Sequence, residues 1–235
     1  MANSWFQFKQ FKINQDRCAM KISTDAVMLG ALVEGQDAVQ VLEIGAGTGV
    51  ISLMLAQRLP MAKIQAVEID PDAASQCSEN FDESPFSARL MVHQVAIQDF
   101  DSQTTFDLIV SNPPYFPDHL KPQDAIRQQA LHTDSLSFFE LAKSVVGNLS
   151  ESGDFWLILP SRQMEDFEKI ASELGLKAWK KIFLADRPGK QVYREIVAFS
   201  LSNKAYKTEK IELKSEKGVY TNAYQELLAE FFLDF

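Results

Sequence analysis

Cysteine, histidine and long hydrophobic runs are all scarce in this 235-residue chain. Cys18 and Cys77 lie far apart and form no C-x-x-C motif, which predicts reduced, structural thiols. The three histidines have no metal-ligand spacing with cysteines or carboxylates, so we expect no metal site. No apolar run approaches the roughly 20 residues that span a bilayer, and the first residues lack the apolar segment of a signal peptide. We therefore expect a cytoplasmic protein without a membrane partner.

Positive charge is also in deficit overall, but it is concentrated in one segment. The net charge is −9, which argues against nonspecific binding to nucleic acid. Residues 176–218 nevertheless carry eleven basic and five acidic side chains, and the N-terminal arm is locally basic as well. Such a region can meet phosphates locally, although a solvated lysine-rich face without a partner is the more common explanation.

Hydrophobic runs alternate with helical patterns from about residue 38 onward. Strands are predicted at 39–44, 63–69, 89–97, 105–111, 154–160, 177–185, 192–201 and 210–214. Helices are predicted at 48–59, 71–81, 137–149, 161–175 and 221–233. Repeated strand–helix units predict an α/β fold, a mostly parallel sheet with helices on both faces. A ligand then binds at the carboxyl ends of the strands.

A glycine-rich turn follows the first of these strands. Gly45, Gly47 and Gly49 allow positive φ angles and a close approach of the backbone to a ligand. Glu43 stands just before the turn, where an acid suits an ammonium group better than a pyrophosphate. Glu68 ends the next strand, about twenty residues on, where a carboxylate can hold a ribose diol. These features predict a nucleoside ligand that carries an amine and lacks a pyrophosphate, and S-adenosylmethionine fits that description.

The end of the third strand is where the adenine ring of such a ligand should lie. Backbone atoms of Ala96 and Ile97 are placed to read the ring, and Asp99 is placed to accept from its amino group. An ordinary strand end without a ligand is an equally good explanation for Asp99.

The tetrapeptide Asn112-Pro113-Pro114-Tyr115 ends the fourth strand, next to the glycine turn. An amide or exocyclic nitrogen is a poor nucleophile until its N–H groups are held. Asn112 offers a side-chain carbonyl and Pro113 a backbone carbonyl as the two acceptors, while the prolines fix φ and remove competing donors. Tyr115 offers a flat face to a planar substrate group. The tetrapeptide therefore predicts methyl transfer to nitrogen, with proximity and orientation as the main contributions to catalysis.

The motifs together resemble a known family. VLEIGAGTG, AVEID and SNPPY resemble the motifs of class I S-adenosylmethionine-dependent amino-methyltransferases. Residues 8–32, FKQFKINQDRCAMKISTDAVMLGAL, resemble the entry segment of the bacterial tRNA1(Val) (adenine(37)-N6)-methyltransferases. The resemblance extends from about Phe8 to the C-terminal helix.

The resemblance implies a Rossmann-like fold with a seven-stranded, mostly parallel sheet and an antiparallel last strand. It also implies that Lys21, Thr24 and Asp25 close over the methionine end of the cofactor. Two positions depart from the family: Ala96 stands where relatives have an aspartate, and Leu131 stands where they tend to have an arginine.

The expected organisation is one methyltransferase domain over residues 1–235. Residues 1–36 form the N-terminal arm and the helix that covers the cofactor, residues 37–202 the catalytic core, and residues 203–235 a C-terminal appendage. The connection 116–133 is long enough to be a lid over the site, and Lys121 and Arg127 within it are candidates for phosphate contacts.

The resemblance implies that the protein is an enzyme that methylates N6 of an adenine in tRNA, A37 of tRNA1(Val). We also expect it to be a monomer. Two alternatives use similar chemistry: an N5-glutamine methyltransferase acting on a protein, and an rRNA amino-methyltransferase. A noncatalytic nucleotide-binding module is a third possibility, but it leaves the Asn-Pro-Pro-Tyr tetrapeptide unexplained.

Overall fold

The computed structural model describes residues 3–115 and 136–234. The strands are β1 Trp5–Gln7, β2 Lys12–Asn14, β3 Gln40–Ile44, β4 Lys63–Glu68, β5 Leu90–Gln94, β6 Phe106–Ser111, β7 Leu149–Leu159, β8 Lys177–Ala185, β9 Val192–Ser200 and β10 Lys207–Glu212. The α-helices are α1 Thr24–Leu32, α2 Val50–Arg58, α3 Pro71–Asp82, α4 Phe138–Asn148, α5 Ser161–Glu173 and α6 Asn222–Leu228. The predicted lid at 116–133, with Lys121, Arg127 and Leu131, lies outside the described residues.

Among the described residues, the central sheet has eight strands in the order β10-β8-β9-β7-β6-β3-β4-β5. Strands β3 to β7 pair in parallel, and β9 is antiparallel to both of its neighbours, β7 and β8. The predicted α/β fold class, including the antiparallel last strand, is confirmed.

The predicted count of seven strands is wrong by one, because the strand-like segment near residue 210 joins the sheet. Strand β10 pairs in parallel with the outer side of β8, with Lys207 opposite Lys180 and Glu212 opposite Ala185. The antiparallel strand is therefore the last of the seven core strands, and the eighth strand extends the edge beyond β8.

Successive side chains along a strand point to opposite faces of the sheet, and they pack into two hydrophobic cores, one on each face. In β3, Val41 points to the side of α1, α2 and α3, whereas Leu42 and Ile44 point to the side of α4 and α5. The first core also takes Phe8 from the N-terminal arm and Phe231 from the C-terminal segment. Packing therefore joins the arm, the sheet and the C-terminal segment.

Helix starts follow the sequence signals closely. Ser137 and Glu140 form a capping box at the head of α4, and Pro71 opens α3 behind the capping residue Asp70. Ser23 caps α1, where its hydroxyl accepts from the N–H of Ala26 at 3.2 Å. These caps place the starts of α1, α3 and α4 around the carboxyl edge of the sheet.

The N-terminal arm forms a short antiparallel hairpin, β1–β2, that the sequence did not predict. Asn80 of α3 holds the end of β2 from both sides: its Oδ1 accepts from the N–H of Asn14 at 2.8 Å, and its Nδ2 donates to the carbonyl of Asn14 at 2.9 Å. The same Nδ2 donates to the carbonyl of Thr48 in the glycine turn. The hairpin thereby fixes the chain that leads from residue 15 to α1.

Within the described residues, no helix is long and apolar enough to cross a membrane. Over the same residues, no group of three histidine, cysteine or acidic side chains is arranged to hold a metal ion.

Candidate active site

A cavity of about 670 Å³ opens at the carboxyl ends of β3, β4, β5 and β6. This volume lies within the range typical of sites that bury a small ligand. Most of the predicted cofactor and catalytic residues line the cavity: Lys21, Glu43, Gly45, Gly47, Glu68, Ala96, Ile97, Asp99, Asn112, Pro113 and Pro114. Thr24, Asp25, Gly49 and Tyr115 are not among its lining residues.

The glycine turn forms the floor of this cavity. Gly45 and Gly47 have φ angles of 76° and 51°, and a Cβ added at either would meet no atom within 4 Å. Glycine is therefore required here by the backbone conformation, and the space above the turn is open to a ligand. The N–H groups of Gly45 and Ala46 both donate to the carbonyl of Val67, at 2.9 and 3.1 Å, which fixes the turn against β4.

Gly49 has a different role from the other two glycines. It has a φ of 78°, and a Cβ there would lie 2.6 Å from the ring of Phe81 and 2.8 Å from Sγ of Cys77. The glycine lets the start of α2 pack directly against α3. The structure thus places Gly49 at a helix contact, away from the predicted cofactor contact.

Glu68 is held in the cavity wall by backbone donors on both sides. Its Oε2 accepts from the N–H of Gly47 at 2.8 Å, and its Oε1 accepts from the N–H of Asp70 at 2.9 Å. Each carboxylate oxygen retains a further lone pair. The side chain is therefore fixed in orientation and still able to accept from two hydroxyl groups of a ligand.

Glu43 is an acid buried without a cationic partner among the described residues. Only 1% of its surface is exposed, and both the N–H and the hydroxyl of Ser52 donate to its Oε2. Burial raises the pKa of Glu43 to about 8, although the hydrogen bonds from Ser52 act in the opposite direction. A buried acid of this kind gains a partner when a positively charged group binds beside it, so Glu43 fits the ammonium group of S-adenosylmethionine.

The end of β5 forms another wall. Ala96 precedes a single 3₁₀ turn, Ile97–Asp99, in which the N–H of Asp99 donates to the carbonyl of Ala96 at 3.0 Å. Ile97 is buried, whereas Asp99 is exposed at the rim. The strand ends at Gln94, earlier than predicted, because the chain turns here towards the cavity.

Asn112, Pro113 and Pro114 follow the last residue of β6 and line the cavity beside the glycine turn. The hydroxyl of Ser111 donates to the carbonyl of Ile44 at 2.9 Å, which ties the ends of β6 and β3 together. The side chain of Asn112 thus lies in the wall of the cavity, beside the glycine turn. Proline has no backbone N–H, so neither residue supplies a donor that would compete with a substrate N–H for the carbonyl oxygens of Asn112 and Pro113.

Asp25 and Tyr115 form a hydrogen bond with each other outside the cavity lining, a contact that the sequence did not predict. The hydroxyl of Tyr115 lies 2.6 Å from Oδ2 of Asp25 and 3.1 Å from Oδ1 of Asn112. Nε of Arg194 donates to the same Asp25 oxygen at 2.8 Å, and its guanidinium lies 4.3 Å from the centre of the Tyr115 ring. Thr24 is exposed at the start of α1.

The chain between the hairpin and α1 forms a wall of the cavity that the sequence, apart from Lys21, did not indicate. Besides Lys21, it contributes Cys18, Ala19, Met20, Ile22 and Ser23. Lys21 is exposed, and its Nζ donates to the carbonyl of Asn3 at 3.2 Å. Leu136 and Glu140 complete the lining from the side of α4. No local pattern marks these residues, because their place depends on how the arm packs against α3.

A solved structure shares this fold. A crystal structure described as a predicted O-methyltransferase, protein Atu636 from Agrobacterium tumefaciens, matches 88% of this chain and 96% of its own, with a TM-score of 0.71 and 18% identity. At this identity the likeness concerns the fold alone. The fold class is that of the Rossmann-like methyltransferases.

Sequence comparison is more specific. The methyltransferase small domain family matches residues 22–174. The tRNA1(Val) (adenine(37)-N6)-methyltransferase of Pedobacter heparinus is 43% identical over 230 residues, which cover 98% of each chain. The protein of the same name from Bacteroides thetaiotaomicron is 41% identical over 234 residues, or 99% of each chain. The chain belongs to the methyltransferase small domain family and, within it, to the family of these two relatives. The prediction of an S-adenosylmethionine-dependent methyltransferase is confirmed.

Proposed function

We propose that this enzyme methylates N6 of adenine 37, next to the anticodon of tRNA1(Val). The observation that carries the proposal is the similarity over nearly the full chain to enzymes of that name, with Asn112-Pro113-Pro114 lining the cavity. Since one chain carries every proposed site residue, we expect a monomer. Because the proposed substrate is a tRNA, we expect the enzyme to act in the cytoplasm.

The cofactor supplies an electrophilic methyl group, and the residues of the cavity hold and orient it. We assign the ribose hydroxyls to Glu68, whose oxygens are fixed by the N–H groups of Gly47 and Asp70. The ammonium group is assigned to Glu43, the buried acid at the end of β3. The adenine is assigned to the wall formed by Ala96, Ile97 and Asp99.

The acceptor nitrogen is assigned to Asn112 and Pro113. Oδ1 of Asn112 and the carbonyl oxygen of Pro113 accept hydrogen bonds from the two N–H groups of this nitrogen. These bonds localise the lone pair on the nitrogen, so that it can attack the methyl group. An adenine must leave its stack to reach this position, as expected for an enzyme that acts on a base. No strong general base is required, because the proton can leave after the methyl group has been transferred.

The position of the methylated base is tested with two transcripts. Wild-type enzyme is incubated with labelled cofactor and either unmodified tRNA1(Val) or the same tRNA with A37 replaced by G. We expect label only in the first transcript. Equal labelling of both would place the target at another base, and label recovered in protein glutamine or in rRNA would favour one of the two alternatives.

The variant Glu43→Gln tests the assignment of the ammonium group. The pKa of Glu43 is raised to about 8, so its contribution to stability is complete below its ordinary pKa of about 4.5 and is lost as the pH rises through 8. We expect the ligand-free variant to unfold at a higher temperature than wild type at pH 8.5, and at a similar temperature at pH 5.

The affinity of wild type for the cofactor should rise with pH, whereas the stability of the ligand-free enzyme falls. A bound cation favours the carboxylate, so the affinity of wild type should rise between pH 6 and 7.5, while that of the variant should be weaker and flatter. Calorimetric titration with S-adenosylmethionine measures both. If wild type and variant show the same pH dependence of affinity and of unfolding, Glu43 does not hold the ammonium group.

Ion pairs neutralise much of the basic segment, residues 176–218, that suggested a phosphate partner. Seven of its eleven basic side chains lie within ion-pair distance of an acid: Lys180, Lys181, Arg187, Arg194, Lys204, Lys210 and Lys214. Their partners include Glu34, Asp154 and Glu168, which lie outside the segment. The local excess of positive charge is therefore smaller at the surface than in the sequence.

The sheet also separates the remaining lysines into two groups. Lys190 lies in the β8–β9 turn and Lys217 in the loop after β10, at the carboxyl edge that carries the cavity. Lys177 begins β8 and Lys207 begins β10, at the opposite edge. All four side chains are exposed. Exposed Tyr220, stacked on Tyr224, adds an aromatic surface to the first group. We therefore assign the tRNA backbone to the carboxyl edge.

Reversing charge at each edge tests this assignment. We expect Lys190→Glu/Lys217→Glu to weaken tRNA binding about tenfold and to reduce the slope of log affinity against log salt by about two. Lys177→Glu/Lys207→Glu makes the same change in net charge at the other edge and should bind tRNA nearly as wild type does. Binding is measured by filter retention at several salt concentrations. Equal effects of the two double variants would contradict the assignment.

A further inference from the structure

The four groups that meet behind the cavity wall, Arg194, Asp25, Tyr115 and Asn112, form a continuous chain of polar contacts. Arg194 and Tyr115 both reach Oδ2 of Asp25, at 2.8 and 2.6 Å, and the Tyr115 hydroxyl lies 3.1 Å from Oδ1 of Asn112. Asp25 is only 8% exposed. Residues from α1, from β9 and from the end of β6 thus form a chain of contacts that ends, through the Tyr115 hydroxyl, at the amide to which we assign the acceptor nitrogen.

The tyrosine hydroxyl has a single proton and two oxygens within reach. A carboxylate is the stronger acceptor, and charge-assisted hydrogen bonds are the shorter ones, as the 2.6 Å contact with Asp25 is. Burial, followed by the bond to Asp25, raises the pKa of Tyr115, so the hydroxyl stays protonated. With the proton directed at Asp25, the hydroxyl oxygen presents only lone pairs towards Asn112.

The structure turns Oδ1 of Asn112 towards this hydroxyl, but a lone pair is satisfied by the NH₂ group and not by the oxygen. The two ends of an amide have the same shape, so a rotation of the carboxamide by 180° brings Nδ2 to the hydroxyl. We propose that Asp25 and Arg194 are positioning residues that act through the Tyr115 hydroxyl: it accepts from Nδ2 of Asn112 and so leaves Oδ1 free to accept from the target nitrogen. The inference rests on the proposed function.

Arg194 contributes in two ways. Its bond to Asp25 fixes the position of that carboxylate, and both groups are partly shielded from solvent, with 23% and 12% of their side-chain surfaces exposed. Its guanidinium also covers one face of the Tyr115 ring. A planar substrate group that stacks on Tyr115 must therefore use the opposite face.

Tyr115→Phe and Asp25→Asn, alone and combined, separate this role from ring stacking and from simple support of α1. Phenylalanine keeps the ring and removes only the hydroxyl, so a role limited to stacking predicts unchanged turnover. We expect each single variant to lower kcat about tenfold, the usual effect of one lost hydrogen bond. The KM for S-adenosylmethionine should stay within about twofold of wild type.

The double variant is the decisive member of the set. If Asp25 acts through the Tyr115 hydroxyl, adding Asp25→Asn to Tyr115→Phe should change kcat by less than twofold, whereas independent effects would multiply to about a hundredfold loss. Thermal unfolding of each variant shows whether Asp25→Asn has damaged the fold, and Tyr115→Phe tests the hydroxyl in either case.

Multiplied effects, or a Tyr115→Phe variant as active as wild type, would overturn the proposal. Those results leave the function intact as long as wild type methylates A37. A wild type that does not methylate tRNA fails the proposed function itself.

Discussion

Asn112→Ala is expected to lower the turnover number at least about a hundredfold while leaving the affinity for S-adenosylmethionine nearly unchanged. The reason is that its carboxamide oxygen is assigned to a contact that strengthens as the acceptor nitrogen becomes positively charged. Removing one preorganised polar contact of this kind typically costs a factor of 10² to 10³ in kcat.

Single-turnover kinetics with saturating tRNA measure the loss, and calorimetric titration with the cofactor provides the control. Thermal unfolding of the variant shows that a slow reaction is not a folding defect. Methylation by Asn112→Ala at the wild-type rate would remove Asn112 from the mechanism. A loss confined to cofactor affinity would instead move Asn112 to the binding site of the donor.

Glu68→Gln is expected to have the opposite kinetic signature: a large loss of cofactor affinity with little change in kcat. Both oxygens of Glu68 accept from backbone N–H groups, those of Gly47 and Asp70. An amide replaces one acceptor with a donor, so one N–H loses its partner and the side chain can no longer receive both ribose hydroxyls. Hydrogen bonds to charged groups contribute about 1.5–3 kcal/mol each, so we expect the Kd to rise about a hundredfold.

Asp72→Asn is the matched control for this variant. Asp72 is an exposed acid in the first turn of α3, four residues from Glu68, and it does not line the cavity. The substitution removes the same charge from the same neighbourhood and should change the Kd by less than about twofold. Similar losses in both variants would mean that general electrostatic attraction, and not the fixed carboxylate of Glu68, holds the cofactor.

The sequence was most informative where function depends on residues that are close together in the chain. The glycine turn, Glu68 and the Asn-Pro-Pro segment all follow directly from the ends of hydrophobic strands. Parallel strands bring those ends to one edge of the sheet. Because β3, β4 and β6 are neighbours in the sheet, residues at their carboxyl ends are expected to line one cavity, and the structure shows that they do.

Contacts between distant segments were beyond this reasoning. Asp25 and Tyr115 are 90 residues apart, and Arg194 is 169 residues from Asp25. Their meeting depends on the packing of α1 and on the position of β9 between β7 and β8. For Asp25, the resemblance implied a cofactor contact. The structure places the Asp25 side chain against the Tyr115 hydroxyl, outside the lining of the cavity.

The basic segment illustrates the same limit for electrostatics. Summing charges along the chain suggested one basic region, but Lys180 pairs with Glu34 and Lys204 pairs with Asp154 across the fold. Strand direction then separates exposed lysines that are neighbours in sequence, so that Lys207 and Lys217 lie at opposite edges of the sheet. Only the folded structure shows which exposed lysines lie at the same edge of the sheet as the cavity.

The most direct test of the account is methyl transfer from labelled S-adenosylmethionine into unmodified total tRNA, followed by digestion and nucleoside analysis. The account predicts that wild-type enzyme places label in N6-methyladenosine and that Asn112→Ala places almost none. Label in any other nucleoside, or no label in tRNA when the cofactor is shown to bind, would contradict it.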